Sequence, residues 1–160
     1  MATFALSEHR PEGLIKIANT LLEKQMNELI SAILPELTGP QFVIVYYLYE
    51  HPEWTIRQKD VADRFYLSHP TVRGMVKRLI SAGWLTVGNA QGDRRQVVLN
   101  LTDKARCSIR QQKRRILRAL DTTTGMALSG FSVRERQTLE ALLRRVIDNM
   151  SEMSRHGGDA

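Results

Sequence analysis

The sequence predicts a mainly α-helical protein, a helix-turn-helix followed by a two-stranded β wing, with helical regions at both ends. Three observations carry this. Ser68 to Gly83 (SHPTVRGMVKRLISAG) splits into two faces. Val72, Met75, Val76, Leu79 and Ile80 recur at i, i+3, i+4 spacing, as one apolar face of a helix requires. Pro70, Thr71, Arg73, Gly74, Lys77, Arg78 and Ser81 fall on the other, which is basic and free of acids. Next, Gly92-Asp93-Arg94-Arg95 stands between two strand-like runs, as the tip of a hairpin would. Finally, both ends of the chain carry long apolar stripes at helical period.

The elements follow in order. Leu14, Ile17, Ala18, Leu21, Leu22, Met26, Leu29, Ile30 and Ile33 mark an amphipathic helix from about Glu8 to Leu34, where Pro35 disfavours further helix. Phe42 to Tyr49 (FVIVYYLY) is β-branched and aromatic, so propensity alone favours a strand. The flanks decide otherwise: Thr38-Gly39-Pro40-Gln41 is a capping-box pattern with Pro in the first turn, which predicts a buried helix over 39–50. Thr55-Ile56-Arg57-Gln58 has the same pattern and predicts a short helix through Phe65. Tyr66-Leu67 forms a turn, Ser68 caps the basic helix, and Gly83 stops it. Trp84–Val87 and Gln96–Leu101 read as strands, with Gly88 to Gly92 as turn. Thr102 caps a long helix to about Leu128, and Ser132-Val133-Arg134-Glu135 opens a last one bearing Leu139, Leu142, Leu143, Val146, Ile147, Met150 and Met153. The expected division is 1–37 and 102–160 as N- and C-terminal dimerisation helices around a reading domain at 38–101. Stripes of this kind bury against each other or against a second copy, so a homodimer is expected.

Charge narrows the function. The net charge is +6, but residues 1–56 hold 3 Lys/Arg against 7 Asp/Glu while residues 57–101 hold 8 against 3. Positive charge concentrated on the helix and hairpin attracts a polyanion, and a basic hydrogen-bonding helix face suits a DNA major groove. A solubilising surface is the plainer alternative on charge alone. Hydrophobic residues make up 42% of the chain, enough for a core, yet no apolar run spans a bilayer and no secretory signal is visible at the N-terminus. A cytoplasmic protein without membrane association is expected. The single cysteine, Cys107, excludes an internal disulfide, and His9, His51, His69 and His156 lack metal-ligand spacing. No phosphate loop or catalytic constellation is present, so neither an enzyme nor a cofactor is expected.

Four fragments in order resemble the MarR family of bacterial transcriptional regulators. Leu37-Thr38-Gly39-Pro40-Gln41-Phe42 resembles its "LTxxQf" opening, and Arg57-Gln58-Lys59-Asp60-Val61-Ala62 its "tqkeLA". Ser68-His69-Pro70-Thr71-Val72 to Leu79 is similar to its recognition helix, and Gly92-Asp93-Arg94-Arg95-Gln96 through Leu101-Thr102 to its wing signature. Ala105, where the family usually has Gly, and Arg57, where Thr is common, depart from the pattern. The resemblance implies a homodimer with interlocked terminal helices that represses or activates transcription at a palindromic site. It also implies release, in many members, by a small phenolic or anionic effector.

On this reading Ser68, Pro70, Thr71, Arg73, Gly74, Lys77 and Arg78 face double-stranded DNA. Thr71 and Arg73 meet base edges, Lys77 meets phosphate, and Gly74 permits close approach. Arg95 enters the minor groove with Asp93 holding its angle, and Arg94 meets phosphate or packs on the hairpin. Tyr46, Tyr49 and Trp54, with Arg106 and Arg110, are the candidate pocket for a small aromatic or anionic effector, although such aromatics are more often plain core. The run Arg106, Arg110, Lys113, Arg114, Arg115, Arg118 reads first as a solvated face with ion pairs across a dimer. A ligand or redox sensor with weak or non-specific DNA binding is the alternative, with Cys107 as its candidate thiol, although a structural, unreactive cysteine is the plainer reading.

Overall fold

The computed structural model describes residues 10–90 and 93–156, with side chains over 10–89 and 97–152. The order is α1 (Pro11–Ile33), α2 (Gly39–Glu50), α3 (Gln58–Phe65), α4 (His69–Ser81), β1 (Leu85–Ala90), β2 (Asp93–Leu101), α5 (Asp103–Ala127) and α6 (Val133–His156). This is a mainly α winged helix-turn-helix, with α3 and α4 as the helical pair and β1–β2 as the wing. The chain forms two compact units with the boundary between Thr123 and Thr124, inside α5.

The first unit is organised around α2. Gln41 Oε1 accepts from the Thr38 backbone N–H at 3.0 Å, and Thr38 Oγ1 accepts from the Gln41 N–H at 3.5 Å. These reciprocal bonds satisfy amides that a helix start leaves open, and they override the strand propensity of FVIVYYLY. A third free amide, Gly39 N–H, donates to Asn27 Oδ1 of α1 at 2.8 Å. Phe42, Ile44, Val45 and Leu48 are buried against Ile30, Leu34 and Leu37. Val61 and Ala62 of α3, Val72, Met75, Val76 and Leu79 of α4, Trp84 and Leu85, Leu99 and Leu101, and Ala105, Ile109 and Ile116 of α5 complete this core.

Three expectations need correction. Thr55 does not cap α3, because the helix begins at Gln58 with Arg57 as its cap residue. Asp60 decides this: its carboxylate accepts from the Arg57 backbone N–H at 2.8 Å and from both arms of the guanidinium, a charge-assisted fork that a Thr hydroxyl cannot match. The strands are longer than expected. Gly88, Asn89 and Ala90 continue β1 and Asp93 begins β2, with Gly88 opposite Val98 and an irregularity between Asn89 and Ala90. Pairing across the hairpin outweighs the turn-like composition, and a Cβ on Gly88 would stand 2.9 Å from Asn100 Nδ2. Ile80, placed on the buried face by its spacing, is exposed at the edge of the stripe.

Ala105 is fully buried, and its N–H donates to Thr102 Oγ1, the expected cap of α5. The N-terminal half of α1 leaves Leu14, Ile17, Leu21 and Leu22 exposed. In the second unit, Ser132 and Glu135 form the expected reciprocal cap of α6. Its stripe of Leu142, Leu143, Val146, Ile147 and Met150 is exposed along its whole length.

Candidate nucleic-acid interface

The α4 helix is positioned from below and presented outward. Val72, Met75, Val76 and Leu79 bury one side in the core. Ser68 Oγ accepts from the Thr71 N–H at 3.2 Å and lies 2.7 Å from Thr71 Oγ1, so the helix start and both hydroxyls are held in one small network. The opposite face carries Ser68, Pro70, Thr71, Arg73, Lys77 and Arg78, all exposed, with Gly74 half-buried among them. A Cβ on Gly74 would meet nothing closer than Arg78 Nη1 at 3.9 Å, so the space before it is open. Gly74, Lys77, Arg78, Ser81 and Ala82 line a shallow apolar depression there. Among the described residues, no carboxylate forms an ion pair with Arg73, Lys77 or Arg78. Three uncompensated cations on one exposed helix face present a positive field to solvent and suit a polyanion. Asp93, Arg94 and Arg95 open β2, and their side chains lie outside the described residues.

The α4–β1 corner is clamped by contacts that the sequence does not advertise. Glu36, in the α1–α2 loop, accepts from the Trp84 indole Nε1 at 2.9 Å and from Lys104 Nζ. Lys104 Nζ also donates to the Ala82 carbonyl at 3.2 Å and stands 5.5 Å from the Trp84 ring centroid. Thr102 Oγ1 donates to the Gly83 carbonyl at 2.7 Å. Gly83 takes φ +73, a left-handed conformation that a helix-terminating Gly adopts freely. The C-terminal end of α4 is thus tied to the α1–α2 loop and to the start of α5. Partners 48 and 68 residues apart escape any local pattern.

The Lys104 and Trp84 donors hold the Glu36 carboxyl below its ordinary 4.5. A carboxyl whose folded pKa is depressed supports the fold above its unfolded value, and that support is lost as pH falls through the folded value. Thermal stability of the wild type is therefore expected to fall on acidification below about pH 4.5, and Glu36→Gln should flatten part of that fall. Parallel melting curves across pH for the two proteins provide the check, and identical slopes would remove Glu36 from the account.

The five candidate effector residues fall in three places. Trp54 and Arg106 line one narrow cleft with His51, Ile56 and Leu99. Trp54 stacks on His51 with centroids 4.0 Å apart, and Tyr47 meets both rings edge-on. Tyr46 instead stacks between Phe42 and Tyr49, and burial followed by the nearby Glu50 raises its pKa. Arg110 donates to Cys107 Sγ at 3.3 Å. Of the remaining α5 cations, Arg115 reaches Gln112 and the Ala32 carbonyl. No group of three His, Cys, Asp or Glu able to hold a metal occurs among the described residues, and none of their helices is long and apolar enough to cross a membrane.

One residue of this region escaped sequence reasoning. Tyr66, the C-cap of α3, adopts φ 52, ψ 37 with its ring exposed. Its type suggested only a turn, whereas a bulky residue in left-handed backbone is an outlier.

Residues 36–96, from the Glu36 loop to the start of β2, match the model of the MarR family. Over this segment the chain resembles the MarR family. It is 29% identical over 118 residues to the HTH-type transcriptional regulator TtmR of Methylorubrum extorquens, covering 74% of this chain and 53% of that protein. It spans about half the length of the curated relatives it matches. The crystal structure of the transcription regulator MarR from Oenococcus oeni is 27% identical, with a TM-score of 0.68 over 84% of this chain and 96% of that one. The Staphylococcus aureus MepR–DNA complex is 18% identical, with a TM-score of 0.76 over 89% and 99%, and shares the fold. TtmR and the Oenococcus oeni protein are transcriptional regulators rather than enzymes.

Proposed function

We propose that this chain is a sequence-specific DNA-binding transcriptional regulator that acts as a homodimer on a palindromic operator. One observation carries the reading: α4 presents an exposed, acid-free face of Thr71, Arg73, Gly74, Lys77 and Arg78 above a fully buried apolar side. A helix with this division enters a major groove while its inner side stays anchored. The likeness in fold to MepR, solved as a DNA complex, supports it. Arg73 reads a base edge, Lys77 meets phosphate, and Asp93, Arg94 and Arg95 form the wing tip at the adjoining groove. Residues 38–101 form the DNA-binding part, and 1–37 and 102–160 the dimerisation part. Repression relieved by a small aromatic or anionic effector is the proposed mode, with Trp54 and Arg106 as its first contacts because they line one cleft.

The test is Arg73→Ala on an operator selected by the wild-type protein from randomised duplexes. A bidentate Arg–guanine pair contributes about 1–3 kcal/mol of discrimination, so operator affinity should fall roughly 5- to 150-fold. Affinity for a mixed-sequence duplex should fall far less, because phosphate contacts supply most of it. Equal losses on both duplexes would remove Arg73 from base reading.

A further inference from the structure

We propose that Tyr66 is a DNA-anchoring residue whose phenol hydroxyl donates a hydrogen bond to a phosphate oxygen beside the groove that α4 enters. The proposal rests on the DNA-binding reading above. Its starting point is an energetic anomaly. Tyr66 is the one non-glycine residue at positive φ among the described residues, at φ 52 and ψ 37. Any L side chain there crowds its Cβ against the backbone, and Gly is free of that cost. Nothing among the described residues offsets it. The Tyr66 ring is 68% exposed, and neither ring nor hydroxyl has a partner among the described residues. Tyr46, Tyr47 and Tyr49 all pack against other rings, stacked or edge-on. A residue that weakens the fold and packs against nothing finds its compensation outside the chain.

Its neighbours say what stands there. Tyr66 lies two residues before Ser68, the cap of α4, on the approach to the exposed face of Thr71, Arg73 and Lys77. Backbone contacts that seat a protein on DNA use Tyr hydroxyls beside Arg and Lys. Bases closed in a duplex offer a ring little to stack on, so the hydroxyl is the group that acts. Being neutral, it adds a contact without displacing a counterion. Affinity and salt dependence therefore separate for this residue.

Tyr66→Gly, Tyr66→Phe and Lys77→Ala test the proposal through thermal unfolding and fluorescence-anisotropy titration of a mixed-sequence duplex over a salt series. Tyr66→Gly should melt about 2–4 °C higher, through relief of the left-handed backbone, yet bind about two- to tenfold more weakly. Tyr66→Phe should show the same loss of affinity at unchanged melting temperature. Both should keep the wild-type salt slope, whereas Lys77→Ala lowers it by about one. Stability and binding then move in opposite directions, which a purely structural residue cannot produce. Wild-type affinity in Tyr66→Gly or in Tyr66→Phe overturns the role of the hydroxyl. If Lys77→Ala weakens binding and both Tyr66 variants do not, only this inference falls. If the wild type binds no duplex at any salt, the DNA-binding reading falls first.

Discussion

Leu142→Glu, and separately Val146→Glu, should leave the protein monomeric and unable to hold two half-sites at once. Both residues sit on the exposed apolar stripe of α6, with Ile147 and Met150 beside them. Burying a Leu side chain contributes about 1.5–3 kcal/mol, and an unpaired carboxylate in the same contact costs several more. The side chains are exposed within the chain, so their own helix loses nothing by the change. Circular dichroism should therefore stay at its wild-type value while sedimentation shows one copy instead of two. Losing the second half-site removes an effective concentration that raises affinity by roughly 10²–10⁴. Binding to a two-half-site duplex should collapse to the single-half-site level. A Leu142→Glu protein that sediments as a dimer would rule out α6 as the contact.

Trp84→Ala should be the most damaging single change inside the first unit. Trp84 is buried where α4 turns into β1, and its indole N–H donates to Glu36. Truncating a buried Trp to Ala costs about 3–5 kcal/mol through lost contacts and the cavity left behind. For a chain of this length that lowers the melting temperature by about 10 °C, compared at equal protein concentration because the proposed dimer would melt by mass action. Trp84→Phe keeps most of the packing and leaves the exposed Glu36 to Lys104 and water, so it should cost well under what Trp84→Ala costs. Urea unfolding of both variants provides the measurement. A loss under about 1 kcal/mol for Trp84→Ala would mean that the corner reorganises around the gap.

The two variants act on different links of one chain of cause. In the proposed homodimer the α6 stripe would set how many copies meet DNA, whereas Trp84 bears on how α4 is held. The clamp of Glu36, Trp84, Thr102 and Lys104 fixes the far end of α4, as Ser68 and Thr71 fix its start. A helix held at both ends keeps its outward face in one orientation, so on the proposed reading less freedom of the helix is lost on binding.

Much of this was legible because the signals act over a few residues. Thr38 with Gln41, Ser68 with Thr71 and Ser132 with Glu135 are bonds across three positions, so their spacing in the chain is their geometry in the helix. The first of them settled α2 as a helix against its own composition. Binary patterning placed Val72, Met75, Val76 and Leu79 inside and Arg73, Lys77 and Arg78 outside, because a helix maps sequence period onto direction. The start of α3 was misplaced because two acceptors competed locally, and Asp60 with the Arg57 fork prevailed over Thr55.

By itself, then, the chain specified its helices, their inner faces, the wing's position and the basic surface, all properties of neighbours within about one or two turns. Tertiary structure alone decided the reach of β1 and β2, since a strand ends where its partner's amides end. It alone joined Glu36 to Trp84 and Lys104, separated Tyr46 from Trp54, and put Tyr66 into left-handed backbone. Contacts between distant residues depend on how elements pack, and packing is a property of the assembled core rather than of any window along the chain.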